Sequence, residues 1–208
     1  MGLSTKTVII DYGMGNLRSV ENALVSAGGE PLVSADPGVV REAERLILPG
    51  VGAFGDAMEN LRRGGMDAAI RDATAAGTPL LGLCLGLQLL FTTSEEFGIH
   101  QGLNLIPGHV RKFEIPGFRV PHIGWNQLED IRRSPLLEGI PDGSYFYFVH
   151  SFYVDPVEPA DILCLTDYGR RFCSVAGRGK VFGAQFHPEK SQDNGKKLLR
   201  NFLAIGNK

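Results

Sequence analysis

One stretch narrows the fold more than any other: Leu80-Leu81-Gly82-Leu83-Cys84-Leu85-Gly86-Leu87-Gln88. An apolar run ends and a helix-like run begins with no loop between them. Cys84 stands at the corner, with a glycine two residues away on either side. Small-x-nucleophile-x-small is the spacing of a strand–turn–helix elbow, a turn so sharp that side chains at 82 and 86 would collide with neighbouring backbone. An elbow of this kind needs a buried strand feeding a helix, which is the unit of a parallel α/β sheet.

The rest of the first ninety residues agrees. Thr7 to Ile10, Leu32-Val33, Arg45 to Leu48 and Pro79 to Leu83 read as short buried strands. Between them lie helical patterns from Asn16, a cap, towards Ala27, from Asp56 to Arg63 and from Met66 to Ala76. Gly28-Gly29 stops the first of these. The second half changes character. Prolines 116, 121, 135, 141, 156 and 159 punctuate short extended pieces such as Tyr145 to Val149 and Ile162 to Thr166. Phe172 to Ala176 and Lys180 to Gln185 read as a hairpin turning through Gly177-Arg178-Gly179, and Gly195 to Ile205 as a closing helix. The expectation is a single α/β domain over residues 1–208, with a mostly parallel central sheet flanked by helices and antiparallel strands in the second half.

Composition enters where it excludes something. Glycine is 27 of 208 residues, about 13% against a usual 7% or so, with no Gly-x-y period; tight turns, not collagen or linker, remain. A formal charge of −2 gives no electrostatic footprint for nucleic acid. No apolar run approaches a membrane span, and Met1 to Lys6 is too short and polar for a signal peptide. Three cysteines without CxxC spacing argue against a disulfide framework or a metal site, so a reducing cytoplasm is expected.

The elbow favours chemistry. A nucleophile at a helix N-terminus meets unpaired N–H groups that favour a thiolate, and the N–H of Leu85 is placed for an oxyanion. A buried core cysteine would explain Cys84 taken alone; the strand–elbow–helix context favours the nucleophile. Cys164 and Cys173, inside strands, read as core. A cysteine acyl-transfer site also needs an oriented imidazole. His187, following a strand and followed by Pro188-Glu189, is the best placed of five histidines. In an extended segment His187 and Glu189 share a face, so the carboxylate can fix the ring tautomer. His100 and His109 read as surface loop residues without partners, and His122 and His150 as lining or core. Leu48-Pro49-Gly50-Val51-Gly52-Ala53-Phe54 joins a strand to a helix, so a second oxyanion donor from Gly50, Val51 and Gly52 is plausible geometrically. Asp11-Tyr12-Gly13-Met14-Gly15-Asn16-Leu17-Arg18 lacks the third glycine of a dinucleotide fingerprint and reads as a turn facing the site or a partner, with no cofactor expected.

Together these motifs resemble the class I (triad-type) glutamine amidotransferases, whose sheet is flavodoxin-like. With Pro121-His122-Ile123-Gly124-Trp125-Asn126, Tyr147 to Tyr153 and Gln185 to Ser191 added, they are most similar to the glutaminase subunits of imidazole glycerol phosphate synthase. The resemblance implies a triad of Cys84, His187 and Glu189 that hydrolyses L-glutamine. It implies Gln88, Glu96, Ser151 and Phe152 as substrate-holding positions, and Gly50, Val51, Gly52 and Leu85 as oxyanion elements. Leu87 and Ile123 stand where such subunits often carry methionine, and Phe152 where tyrosine is common; none is in the triad. Ammonia set free in bulk water would be protonated and lost, and one domain of this size leaves no room for a synthase. A cyclase chain in a heterodimer is therefore expected, with Pro121, His122, Trp125, Asn126, Tyr147 and Lys190 as contact candidates. Another synthase, of the anthranilate or pyridoxal phosphate pathway, is the alternative.

Overall fold

A computed structural model describes residues 7–206; the Met1 to Lys6 segment read above for targeting lies outside them. The elements run β1 (Thr7–Ile10), α1 (Leu17–Ser26), β2 (Pro31–Ser34), α2 (Pro37–Arg41), β3 (Arg45–Leu48), α3 (Phe54–Arg63), α4 (Met66–Ala75), β4 (Leu80–Leu83) and α5 (Leu85–Leu89). Then come β5 (Phe91–Ser94), β6 (His100–Gln101), β7 (Ile106–Lys112), β8 (His122–Gln127), β9 (Tyr145–His150), β10 (Phe152–Pro156), β11 (Ile162–Asp167), β12 (Arg171–Arg178), β13 (Val181–Ala184) and α6 (Gln192–Ala204).

Strands β2-β1-β3-β4-β13 are parallel neighbours in that order. Beyond β13 the sheet continues antiparallel through β12, β10 and β7, while β5 pairs β7 parallel and carries β6 at its far edge. β11 pairs β12, and β8 and β9 form a separate two-stranded antiparallel ribbon. This is the α/β domain expected, with the mostly parallel half first.

Alternation along the strands sorts the apolar residues into two cores. Val8, Ile10, Leu46, Leu48 and Leu80 pack with Val40 of α2, Met58 and Leu61 of α3 and Ile70 of α4. Ile9, Ile47, Leu81 and Leu83 pack on the other face with Leu24 of α1, Leu198 and Phe202 of α6 and Phe146 and Phe148 of the ribbon. With both faces covered, these strands are buried at every position rather than at every second one. Asn16 caps α1 by accepting the Ser19 N–H at 3.3 Å. No helix among the described residues is long and apolar enough to cross a membrane.

Several expectations change. α2 and the strands β5 to β7 were not anticipated. The β12–β13 hairpin turns through Gly179-Lys180, since Arg178 already pairs with Val181. Gly177 lies within β12 instead, where a Cβ would come 2.6 Å from Leu163 Cδ1. α6 begins at Gln192, three residues before Gly195. His109 is a β7 residue whose Nδ1 lies 2.7 Å from Thr93 Oγ1, and His100 lies in β6 against Gly55, so neither is a partnerless loop residue.

Candidate active site

The end of β4 turns directly into α5 at Cys84, whose φ of +55° and ψ of −107° are strained for a residue with a Cβ. Its N–H donates to the Ala184 carbonyl at 2.8 Å, carrying the β4–β13 pairing one residue further. The collisions expected at the flanking positions are real. A Cβ on Gly86 would stand 1.8 Å from the Leu48 carbonyl oxygen, and one on Gly82 would stand 2.5 Å from the Gly86 oxygen. α5 is only five residues long, so the support expected from a helix dipole reduces to the N–H groups of a single turn.

Cys84 opens into a cavity of about 330 Å³, at the small end of ligand pockets. His187, Val51, Gly52, Leu85, Gln88, Glu96, Ser151 and Phe152, all expected at the site, line it. Pro121, Val149 and His150 complete the wall. Gly50 sits behind it, where a Cβ would come 2.7 Å from the Tyr12 hydroxyl and 3.0 Å from the Gly86 nitrogen.

His187 and Glu189 meet as expected, but by a different local structure. His187 is extended and is followed by a 3-10 turn over Pro188–Lys190, with Pro188 supplying the fixed φ of its first position. That turn folds Glu189 back, so that Oε1 lies 2.7 Å from His187 Nδ1. Burial opposes charge on this imidazole; Cys84 and Glu189 together outweigh it and raise its pKa well above the ordinary value. With Nδ1 committed, the buried Nε2 makes no hydrogen bond among the described residues and is the nitrogen left to exchange a proton.

Around the sulfur, the thiol points to the Val149 carbonyl at 3.8 Å and receives an N–H from Gln185 Nε2 at 3.8 Å. Gln88 fixes that amide, donating through Nε2 to Gln185 Oε1 at 3.3 Å and to the Phe152 carbonyl at 3.1 Å. Glu96 accepts the Phe54 N–H at 2.7 Å through Oε2, capping α3, which has no side-chain cap at Ala53. In the Gly50-Val51-Gly52 loop, Gly52 has φ of +103°, and a Cβ there would stand 2.7 Å from Met14 Cε, so the first Gly-x-Gly turn borders this loop. The Tyr12 hydroxyl holds the loop from beneath by donating to the Pro49 carbonyl at 2.9 Å. Among the described residues, no group of three or more His, Cys, Asp or Glu side chains is placed to hold a metal ion.

His150, read as lining or core, is buried in the cavity wall; three contributors went unread in the sequence as site residues: Tyr12, Gln185 and Ser191. Gln185 lay in a quoted motif beside the histidine, which was its only signal. Ser191 accepts the Tyr147 N–H at 3.0 Å and donates to the His187 carbonyl at 2.6 Å, so it ties the imidazole's backbone to the ribbon.

The partner candidates divide. Trp125 is 46% exposed and meets Tyr147 edge-on at 6.0 Å, while the Lys190 ammonium lies 5.6 Å from the Tyr147 ring centre. Pro121 is exposed as well as facing the cavity, and Asn126 is half-buried, donating to the Asp167 carbonyl at 2.8 Å. His122 is a correction: it is 2% exposed and stacks on Tyr168 at 4.0 Å and on Phe148 at 5.0 Å, so it offers no surface. Ile123, noted in the sequence where methionine is common, and Tyr145, not anticipated, extend the exposed apolar patch.

Comparison with known proteins accords with this geometry. Residues 8–205 match the family model described as glutamine amidotransferase class-I. Relatives named "Imidazole glycerol phosphate synthase subunit HisH" include one from Syntrophotalea carbinolica, 51% identical over 94% of this chain and 98% of that protein. Another, from Moorella thermoacetica, is 53% identical over 93% and 92%. Among solved structures, one titled glutamine amidotransferase superposes with a TM-score of 0.75 at 21% identity, covering 96% of this chain and 98% of that one. A putative GMP synthase protein from Thermoplasma acidophilum gives 0.74 at 19%, covering 99% and 96%; at these identities both likenesses speak for the fold. A matched model over nearly the whole chain and relatives near half identity leave one conclusion: the chain belongs to the class-I glutamine amidotransferase family.

Proposed function

We propose that this chain is the glutaminase subunit of an imidazole glycerol phosphate synthase, releasing ammonia from L-glutamine for a cyclase chain bound to it in the cytoplasm. The observation that carries the reading is the single cavity that gathers Cys84, His187, Gln88 and the Gly52 loop, in a chain about half identical to proteins of that name.

The chemistry follows from the residues. The Cys84 thiol passes its proton to His187 Nε2 as the sulfur attacks the side-chain carbonyl carbon of glutamine, and the developing oxyanion is met by the N–H of Leu85 and by the Gly50-Val51-Gly52 loop. His187 gives its Nε2 proton to the nitrogen as the C–N bond breaks and ammonia leaves. Water, losing a proton to the same nitrogen, then attacks the thioester; the C–S bond breaks and glutamate departs. Glu189 holds the ring and balances its charge throughout. Gln88, Glu96 and the Ser151-Phe152 backbone hold the amino-acid end of the substrate. The surface patch of exposed Trp125 and Lys190 around half-buried Tyr147, with Pro121 reaching from surface to cavity, is the surface offered to the cyclase.

The test is glutamate release with and without the cyclase subunit and its nucleotide ligand, for the parent chain and for Cys84→Ser. The complex containing Cys84→Ser is expected to lose synthesis from glutamine and to keep synthesis from ammonium salts. Glutamate release that depends on neither Cys84 nor the partner would overturn the reading.

A further inference from the structure

Two buried histidines outside the triad form a hydrogen-bond chain in which every proton can be placed. Nδ1 of His150 lies 2.8 Å from the Phe152 carbonyl oxygen. A carbonyl only accepts, so this nitrogen carries the hydrogen. Nε2 of the same ring lies 3.0 Å from Nδ1 of His122, and Nε2 of His122 lies 3.3 Å from Nδ2 of Asn126, an amide nitrogen that only donates. One assignment satisfies all three contacts with neutral rings: Asn126 donates to His122, His122 donates through Nδ1, and His150 donates through Nδ1 to Phe152. Burial favours the neutral state, drawing His122 down to about 4 and His150 to about 3.

The chain ends where the substrate subsite begins. The Phe152 oxygen that takes the His150 N–H also takes an N–H from Gln88 at 3.1 Å, and His150, Phe152 and Gln88 all line the cavity. The other end rests on β8, across the ribbon register in which His122 faces His150. Both nitrogens of His150 are committed, so it has no proton to give to the reaction.

We propose that His150 is a positioning residue for the glutamine subsite: its Nδ1–H tautomer, selected by His122, pins the Phe152 carbonyl and thereby sets the Ser151-Phe152 backbone and the Gln88 amide that receive the substrate. The proposal rests on the glutamine-hydrolysis reading above and goes beyond it.

6-Diazo-5-oxo-L-norleucine, a diazo ketone shaped like glutamine, separates binding at the subsite (KI) from alkylation of Cys84 (kinact). Iodoacetamide reports the sulfur without needing the subsite. His150→Leu is expected to raise KI about tenfold, the worth of one lost buried hydrogen bond, with kinact and the iodoacetamide rate little changed. His150→Asn, whose Nδ2–H stands in for Nδ1–H, is expected to recover most of the lost affinity. Equal KI for the two variants, or a loss that appears equally with iodoacetamide, overturns the proposal. Should His150→Leu not fold, imidazole nitrogen NMR of the unaltered chain at neutral pH decides. Two neutral Nδ1–H rings are expected; an Nε2–H ring or an imidazolium at His150 overturns it. A parent chain that ignores the diazo ketone sinks the glutamine reading, and the tautomer spectrum still judges the pair.

Discussion

Nδ1 of His187 lies 2.7 Å from Oε1 of Glu189, and the two side chains are 7% and 5% exposed. A hydrogen bond between groups so removed from water, in which the carboxylate also balances an imidazolium, is of the strong kind. Glu189→Gln keeps an acceptor near Nδ1 and removes the charge. Its glutaminase kcat in the assembled complex is expected to fall about 10²–10⁴-fold with KM changed far less. Steady-state kinetics check this, and a kcat within threefold or so of the parent would remove Glu189 from the triad.

Gly86→Ala tests the elbow. The added methyl would stand 1.8 Å from the Leu48 oxygen, and because both atoms belong to adjoining main-chain elements neither can swing aside. The expected cost is about 3 kcal/mol or more in urea unfolding, the upper end of overpacking effects. A loss under about 1 kcal/mol would mean that α5 can move away from β3.

Acid should weaken the fold through the histidine pair. Their folded values of about 4 and about 3 lie below the 6.5 of an unperturbed ring, so the unfolded chain binds more protons below pH 6.5. Their contribution is whole above pH 6.5 and is lost as the pH falls towards 4. His187 has the opposite sign: its raised value makes its contribution whole below pH 6.5 and lost as the pH climbs through the folded value. Urea midpoints between pH 7.5 and 4.5 should fall less steeply for His122→Asn than for the parent, and parallel curves would contradict the assignment.

Trp125→Ala is expected to weaken cyclase binding by about 2 kcal/mol, or roughly thirtyfold in Kd, as a truncated aromatic anchor does. Because the ring is half out of the protein, the urea midpoint of the free chain should hold. Titration calorimetry measures the first and chemical denaturation the second; unchanged affinity would take Trp125 off the contact surface.

What the sequence made legible tracks how local the cause was. β1, β3 and β4 were readable because burial on both faces leaves unbroken apolar runs, and Cys84 because the elbow's steric demand falls on residues two positions away. β7 was not, since its Ile106-Pro107-Gly108-His109 start mixes buried and exposed positions and contains both strand breakers. Gly177 misled because its glycine answers to Leu163 and Phe182 across the sheet and not to a turn. His187 and Glu189 of the proposed triad lie close in sequence and could be paired on paper. Gln185 against Cys84, and His150 against His122, are matched only by strand register, which one sequence does not print.

The backbone of Tyr147 accepts the His187 N–H at 2.8 Å, while its ring carries Trp125 on one side and the Lys190 ammonium nearby. The ribbon is not part of the main sheet, so its position is set by contacts such as these and not by a continuous ladder. Mechanically, Tyr147 couples a half-buried ring at the ribbon surface to the backbone of His187 through one hydrogen bond. A molecule seated on that ring would touch a residue one backbone hydrogen bond from His187, with no strand of the central sheet between them.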